Sequence, residues 1–235
     1  MRARLLSRLL LTAVLLAPMP LLAQLRYQAG QHYHNVPIAQ ASGLAPAGRI
    51  EVTEVFSYLC SGCNRAQRLA EEIKANLPAD AAMTYVHAGF NQGWQMIQRV
   101  HVTAQLLGVA DKNHARVFQG IWETGDFRFF DLATGKSVNP APTIADAARF
   151  YAKGGGVTEA AFAQKAASPE ADAAVKRIES LVRGWAVGAT PTFVVAGRYR
   201  VEVGSVKTIE ELHALFAYLI GQERARLKAA AAGKN

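Results

Sequence analysis

Ile50-Glu-Val-Thr-Glu-Val-Phe-Ser-Tyr-Leu-Cys-Ser-Gly-Cys63 is the stretch on which the reading of this chain turns. Its first ten residues are rich in β-branched and aromatic side chains, which predicts a strand. Behind the cysteines, Ala66, Leu69, Ala70, Ile73 and Leu77 fall on one helical face, and Pro78 marks the stop. Ala82-Met-Thr-Tyr-Val-His87 then reads as a second strand. Strand, helix and strand in so short a span imply a parallel pair joined by a right-handed crossover.

Outward from that unit the pattern changes. Trp94, Ile97, Val100, Ala104 and Leu107 outline one amphipathic helix, and Val117, Phe118, Ile121 and Trp122 a second that ends near Gly125. Thr143 with Asp146 three residues on opens a third, and Thr158 a fourth. Ser168-Pro169-Glu170, a cap followed by proline, opens a fifth that carries Val175, Ile178, Leu181 and Val182. Strand character returns in Pro191-Thr-Phe-Val-Val-Ala-Gly-Arg-Tyr-Arg-Val201, a hairpin turning at Ala196 and Gly197. Thr208 and Glu211 cap a final helix with Leu212, Leu215, Phe216, Leu219 and Ile220 on its apolar face. The order predicts one discontinuous α/β domain over residues 24–91 and 186–235, with an all-helical insertion over 92–185. Residues 24–48 read as an extended lead-in.

Composition bounds the function. The chain has 235 residues, 51% hydrophobic and 19% charged, enough apolar content for a full core and the wrong balance for disorder. Two cysteines exclude a disulfide-dense scaffold and a four-thiolate zinc site. Residues 1–23 combine Arg2, Arg4 and Arg8, the apolar run Leu9-Leu-Leu-Thr-Ala-Val-Leu-Leu-Ala17 and a small-residue end at Ala23, the pattern of a cleavable secretory signal peptide. The run is too short to span a bilayer. Without those three arginines the net charge falls from +8 to +5, an ordinary surface, and no nucleic-acid site is expected.

The chemistry starts at Cys60 and Cys63. A helix beginning just after Cys60 puts that sulfur at the exposed N-cap, where free backbone N–H groups and the helix dipole stabilise a thiolate. Cys63 lies one turn in, on the face of Ala66 and Ala70, and is expected to be buried. Half a zinc site and an inert structural disulfide are the plain alternatives. The first lacks partner cysteines, and closing so small a loop stabilises little. Strand alternation puts Glu54 among bulky apolar neighbours close to the cysteines, so its pKa is expected to rise and it is a candidate proton partner of Cys63; at a frayed strand end it would reach solvent instead. Thr190-Pro191, from the residues alone, reads as an ordinary strand start. Arg65 and Arg68 are expected at the surface. His32 and His34 read as a solvated pair rather than a metal site, and His87 and His101 as structural or partly exposed. Trp94 and Trp185 read as core. Tyr58 and Leu59 either form an exposed apolar, peptide-binding patch beside Cys60 or, on the plainer account, pack into the core.

Phe56-Ser-Tyr-Leu-Cys60-Ser-Gly-Cys63, Gly188-Ala-Thr-Pro-Thr-Phe-Val-Val-Ala-Gly-Arg-Tyr199 and the lead-in Gly30-Gln-His-Tyr33, in this element order, resemble the DsbA-type thiol–disulfide oxidoreductases of the bacterial periplasm. The resemblance implies a thioredoxin-like fold with an inserted helical domain. It also implies a cis Thr190–Pro191 bond facing the cysteines and holding substrate, and a buried acid at Glu54. Two departures stand out. Ser61-Gly62 replaces the family's usual Pro-His between the cysteines, and Thr84 falls where the family places a lysine partner for the buried acid. The expectation is a monomeric periplasmic oxidase without metal or cofactor. Its Cys60–Cys63 disulfide passes to exported proteins with free cysteines, and a DsbB-type membrane partner reoxidises it. The rivals are a reductase or isomerase using the same cysteines, and a non-catalytic exported binding protein with a structural disulfide.

Overall fold

The computed structural model describes residues 27–233; the signal-peptide reading of residues 1–23 lies outside them. In chain order the elements are β1 (His34–Asn35), β2 (Ile50–Phe56), α1 (Ser61–Asn76), β3 (Ala81–His87), α2 (Gln92–Leu106), α3 (Ala110–Gln119), α4 (Ile144–Lys153), α5 (Glu159–Ala166), α6 (Pro169–Gly184), β4 (Thr192–Val195), β5 (Tyr199–Glu202) and α7 (Ile209–Ala232). The strand order is β1-β5-β4-β2-β3, with β2 and β3 parallel and the other pairs antiparallel.

β2 sits inside the sheet, between β4 and β3, and every one of its seven residues is buried. Helices cover both faces. Ile73 of α1 and Leu212, Leu215, Phe216 and Leu219 of α7 close over Val52 and Phe193. On the other side Val102 of α2 and Ile178, Leu181 and Val182 of α6 close over Val55, Val86 and Val194. A third cluster joins the end of β2 to the helical region, with Phe56, Tyr58 and Cys63 packed against Val117, Phe118, Phe150, Tyr151 and Phe162. Among the described residues no helix is long and apolar enough to cross a membrane.

The local signals act as chemistry requires. The Thr143 hydroxyl accepts from the Asp146 N–H while the Asp146 carboxylate reaches back to Thr143, a complete capping box. Ser168 caps α6 with Pro169 in its first turn. Ala196 (φ 53°) and Gly197 (φ 61°) make the β4–β5 turn, closed by the Arg198 N–H on the Val195 carbonyl at 2.9 Å. Gly197 is also pressed against the backbone of Gln40, leaving no room for a Cβ.

Two elements differ from expectation. β2 ends at Phe56, and residues 57–59 turn sharply, with the Cys60 N–H on the Ser57 carbonyl at 3.1 Å. The helix read through Trp122 is α3 followed by a π-helical turn (Gly120–Thr124), ended by Gly125 at φ 74°.

Candidate active site

The turn after β2 delivers Cys60 to the N-cap of α1 with extended backbone (φ −87°, ψ 114°). Its Sγ accepts from the Cys63 N–H at 3.3 Å and, as a thiol, donates to the Thr190 carbonyl at 3.4 Å. Cys60 is partly exposed and Cys63 buried, both as free thiols, in the asymmetry expected of the spacing. Across from them the Thr190–Pro191 peptide is cis, against the residue-only reading of an ordinary strand start and in line with the resemblance. This loop packs on the helix start: a Cβ added at Gly62 would stand 3.6 Å from the Thr190 carbonyl and 3.7 Å from Pro191 Cδ.

These neighbours separate the two sulfurs chemically. The Cys63 thiol hydrogen-bonds to Cys60, and the Thr190 hydroxyl and the N–H groups of Cys63 and Gly62 add to it. Together they hold Cys60 down to about 5 against the opposing effect of burial. Cys63, sharing its proton with Cys60 and buried, is pushed far up. At neutral pH the pair therefore carries one thiolate, on the exposed sulfur. The Thr190 hydroxyl oxygen is buried beside them and makes no hydrogen bond, so its proton is uncommitted.

Glu54 lies below. It is buried on the face of β2 that looks towards α1, and it shares with Cys63 the wall of a cavity of about 90 Å³. Its Oε2 has no hydrogen-bond partner. Burial, with the charge on Cys60 adding to it, pushes its carboxyl up to about 8. Tyr85 stands opposite it in the register, and the residue before Tyr85 on β3 is no cation: Thr84 is buried with its hydroxyl 2.8 Å from that of Thr53. The cation lining the Glu54 cavity comes from α1 instead, as Lys74, whose Nζ lies 5.8 Å from the Tyr85 ring.

Tyr58 corrects an expectation. It is fully buried and belongs to no surface patch. Its N–H donates to His87 Nε2 at 3.1 Å, its carbonyl accepts from Trp122 Nε1 at 2.8 Å, and its hydroxyl lies 3.1 Å from His101 Nδ1 and 3.2 Å from His114 Nδ1. His87 Nδ1 lies 2.8 Å from the Ala88 carbonyl and donates to it, which fixes the tautomer. Burial lowers all three imidazoles, His101 to about 4 and His114 to about 3, so they stay neutral. The segment entering Cys60 is thereby pinned at three polar points. His87, His101, His114 and Trp122 were visible in the sequence, but they sit on β3, α2, α3 and the π turn, and no spacing rule joins them. Of the other residues singled out, Arg65 and Arg68 are exposed, Trp185 is core, Trp94 is only half-buried, and His32 accepts from the Gln28 N–H at 3.1 Å.

No family model matches the chain. Curated relatives do. The thiol:disulfide interchange protein DsbA of Azotobacter vinelandii is 29% identical over 190 residues, 81% of this chain and 79% of that one. Its counterpart in Pseudomonas aeruginosa is 29% identical over 202 residues, 86% and 88% of the two chains. The crystal structure of oxidoreductase DsbA from Xylella fastidiosa superposes with a TM-score of 0.71 at 29% identity, over 85% of this chain and 98% of that one. The chain is DsbA-like. The likeness to Pseudomonas aeruginosa DsbA, with a TM-score of 0.68 over 86% of this chain and 97% of that one, extends through the helical region as well as the sheet. The DsbA-like architecture is thus a thioredoxin-like sheet with a helical insertion, as the element order implied.

Proposed function

We infer that this chain is a thiol:disulfide oxidoreductase that introduces disulfides into exported proteins, with Cys60 as the exchanging sulfur and Cys63 as its partner. The observation that carries it is the exposed Cys60 Sγ at a helix N-cap, lowered to about 5 beside a buried, raised Cys63. A sulfur that is a stable thiolate when reduced is a good leaving group, which favours giving the disulfide away.

The exchange runs in two displacements. A client thiolate attacks Cys60 Sγ of the Cys60–Cys63 disulfide; the new client–Cys60 bond forms and Cys63 leaves as a thiolate. Glu54, still protonated near neutrality, supplies the proton that Cys63 takes up. The client's second thiolate then attacks the client sulfur and expels Cys60 as a thiolate. The client has lost two electrons, the cysteine pair has gained them, and the Glu54 proton is restored from solvent. Thr190 and Pro191 hold the client strand, the backbone before the proline pairing with it as an added strand.

By the resemblance, the protein acts in the periplasm after removal of residues 1–23. It works as a monomer on folding proteins with free cysteines, and a DsbB-type membrane partner reoxidises it. The cysteines and the Thr190–Pro191 loop belong to a discontinuous domain of residues 24–91 and 186–235, with residues 92–185 inserted. Ser61-Gly62 keeps the reductase reading as the rival. Equilibrating the Cys60–Cys63 pair against glutathione separates the two: a potential above about −200 mV is expected, whereas a value near about −270 mV would make the protein a reductase.

A further inference from the structure

A second feature opens beside the site, in the angle between α2, α6 and residues 187–188. It is a cavity of about 420 Å³ whose walls include Phe90, Val182, Val187 and Gly188. Phe90 is 43% exposed, one of the few large apolar side chains at the surface, and it stacks on Trp94 at 5.7 Å with an interplanar angle of 24°. The exposed Arg183 stands at the rim, where a guanidinium covers an aromatic face well. The inner wall includes Gln98, whose Nε2 donates to the His87 carbonyl while its Oε1 is buried without a partner.

The cavity is continuous with the redox site through the chain itself. Gly188 lies two residues before Thr190, whose carbonyl touches Cys60 Sγ. Among the described residues, the N–H groups of Gly188, Ala189 and Thr190 make no backbone hydrogen bond, so this edge is open to an added strand. In an antiparallel added strand, moving from Thr190 to Gly188 means moving two residues towards the client's C-terminus. Side chains two residues apart share a face, about 7 Å apart. At Gly188 an added Cβ meets nothing within 4 Å, so the space beside this edge is open.

We propose that this cavity is a client subsite, which takes a large aromatic side chain two positions C-terminal to the cysteine joined to Cys60. The aliphatic walls and Phe90 bury the ring and Arg183 covers its face. The inference rests on the oxidoreductase reading above and adds to it a sequence preference among clients.

The test uses the full chain carrying Cys63→Ser, so that the mixed disulfide at Cys60 persists. Cys60 is first joined to glutathione. Blocked peptides Gly-Cys-Gly-Xaa-Gly then displace it, peptide thiolate in and glutathione thiolate out, and the equilibrium is read by mass spectrometry. Tryptophan at Xaa is expected to favour the peptide adduct about tenfold over serine, the factor that about 1.4 kcal/mol of binding supplies. Tryptophan two positions before the cysteine gives no such gain. Gly188→Phe fills the cavity and Phe90→Ser removes its wall, and either brings the tryptophan-to-serine ratio towards one. Equal adducts with tryptophan and serine overturn the proposal, as does a preference that survives both variants or is matched by tryptophan on the other side. Failure of every peptide to join Cys60 faults the oxidoreductase reading itself, and the subsite falls with it.

Discussion

Strand β2 carries a buried glutamate on each of its faces, and the two faces treat them differently. Glu51 turns towards the lead-in, where its carboxylate accepts from the N–H groups of Ser42 at 2.6 Å, Leu44 at 2.9 Å and Ala45 at 3.1 Å. Glu54, three residues on, turns towards α1 and leaves Oε2 without a partner beside Cys63. Burial is nearly equal, 5% and 3% exposed. What separates a structural carboxylate from a chemical one is therefore the supply of donors. A carboxylate whose lone pairs are filled by backbone N–H groups has its charge compensated and holds a loop in place. One denied donors keeps its proton, and can give it to a neighbour that needs it.

Removing the clamp causes the largest loss of stability. Glu51→Ala strips the acceptor from the buried N–H of Ser42 and from the part-buried N–H groups of Ala45 and Leu44, the last keeping the Ser42 hydroxyl at 3.2 Å, and a buried unsatisfied donor costs about 1–3 kcal/mol. We expect a loss of about 3 kcal/mol or more in urea unfolding, with exchange per folded molecule unaltered. A loss below about 1 kcal/mol would mean the lead-in does not depend on this carboxylate.

Glu54→Gln should act the other way. Because the folded pKa of about 8 lies above the ordinary 4.5, the folded protein holds a proton that the unfolded chain releases. Glu54 therefore costs stability progressively as pH rises from about 4.5 to about 8, in total about 5 kcal/mol at 1.36 kcal/mol per unit. Cys60 works oppositely: lowered to about 5 from an ordinary 9, it favours the reduced fold at high pH and loses that effect as pH falls from about 9 to about 5. The decline due to Glu54 is thus read as the difference between parent and variant, and the variant is expected to be the more stable at pH 8. The variant should also reprotonate Cys63 more slowly during client exchange. If parent and variant keep the same stability difference at every pH, Glu54 titrates in the fold as in the unfolded chain and is no proton store for Cys63.

How far the sequence showed this contrast depends on the range of each signal. The short-range rules were legible: the Thr143 capping box, proline after Ser168, the turn at Ala196 and Gly197, and a cysteine at a helix N-cap all depend on residues within one turn of each other. Strand alternation also placed Glu54 on the Cys63 side. Glu51 carries no such signal, because its partners lie in the lead-in, a segment whose composition announces only extended chain. Tyr58 was misplaced because the strand ends at Phe56 and the following turn swings the ring inward onto His101 and His114, partners contributed by two distant helices. The cis state of Thr190–Pro191 came from resemblance alone, since local sequence favours trans for any X–Pro bond.

The smallest effect tests which group offsets Glu54. β3 offers only Thr84, which pairs with Thr53, so any compensating charge must cross the cavity from Lys74 on α1. A cation facing a carboxyl favours its ionised form, but Glu71 and Asp111 line the same cavity with charge of the opposite sign, and Lys74 lies over the Tyr85 ring. Lys74→Met should accordingly raise the Glu54 midpoint only slightly above about 8, seen as an upward move in the pH at which the parent and Glu54→Gln stability curves stop diverging. The same substitution should leave the Cys60 thiolate absorbance at 240 nm titrating near pH 5, because Lys74 is not among the groups that hold that sulfur down. A fall in the Glu54 midpoint would mean that losing the Lys74 side chain lets water into the cavity and relieves the burial of Glu54, an effect opposite in sign to that of a lost cation. A shift in Cys60 would show that the two ends of the proton path are more tightly joined than their separate neighbours imply.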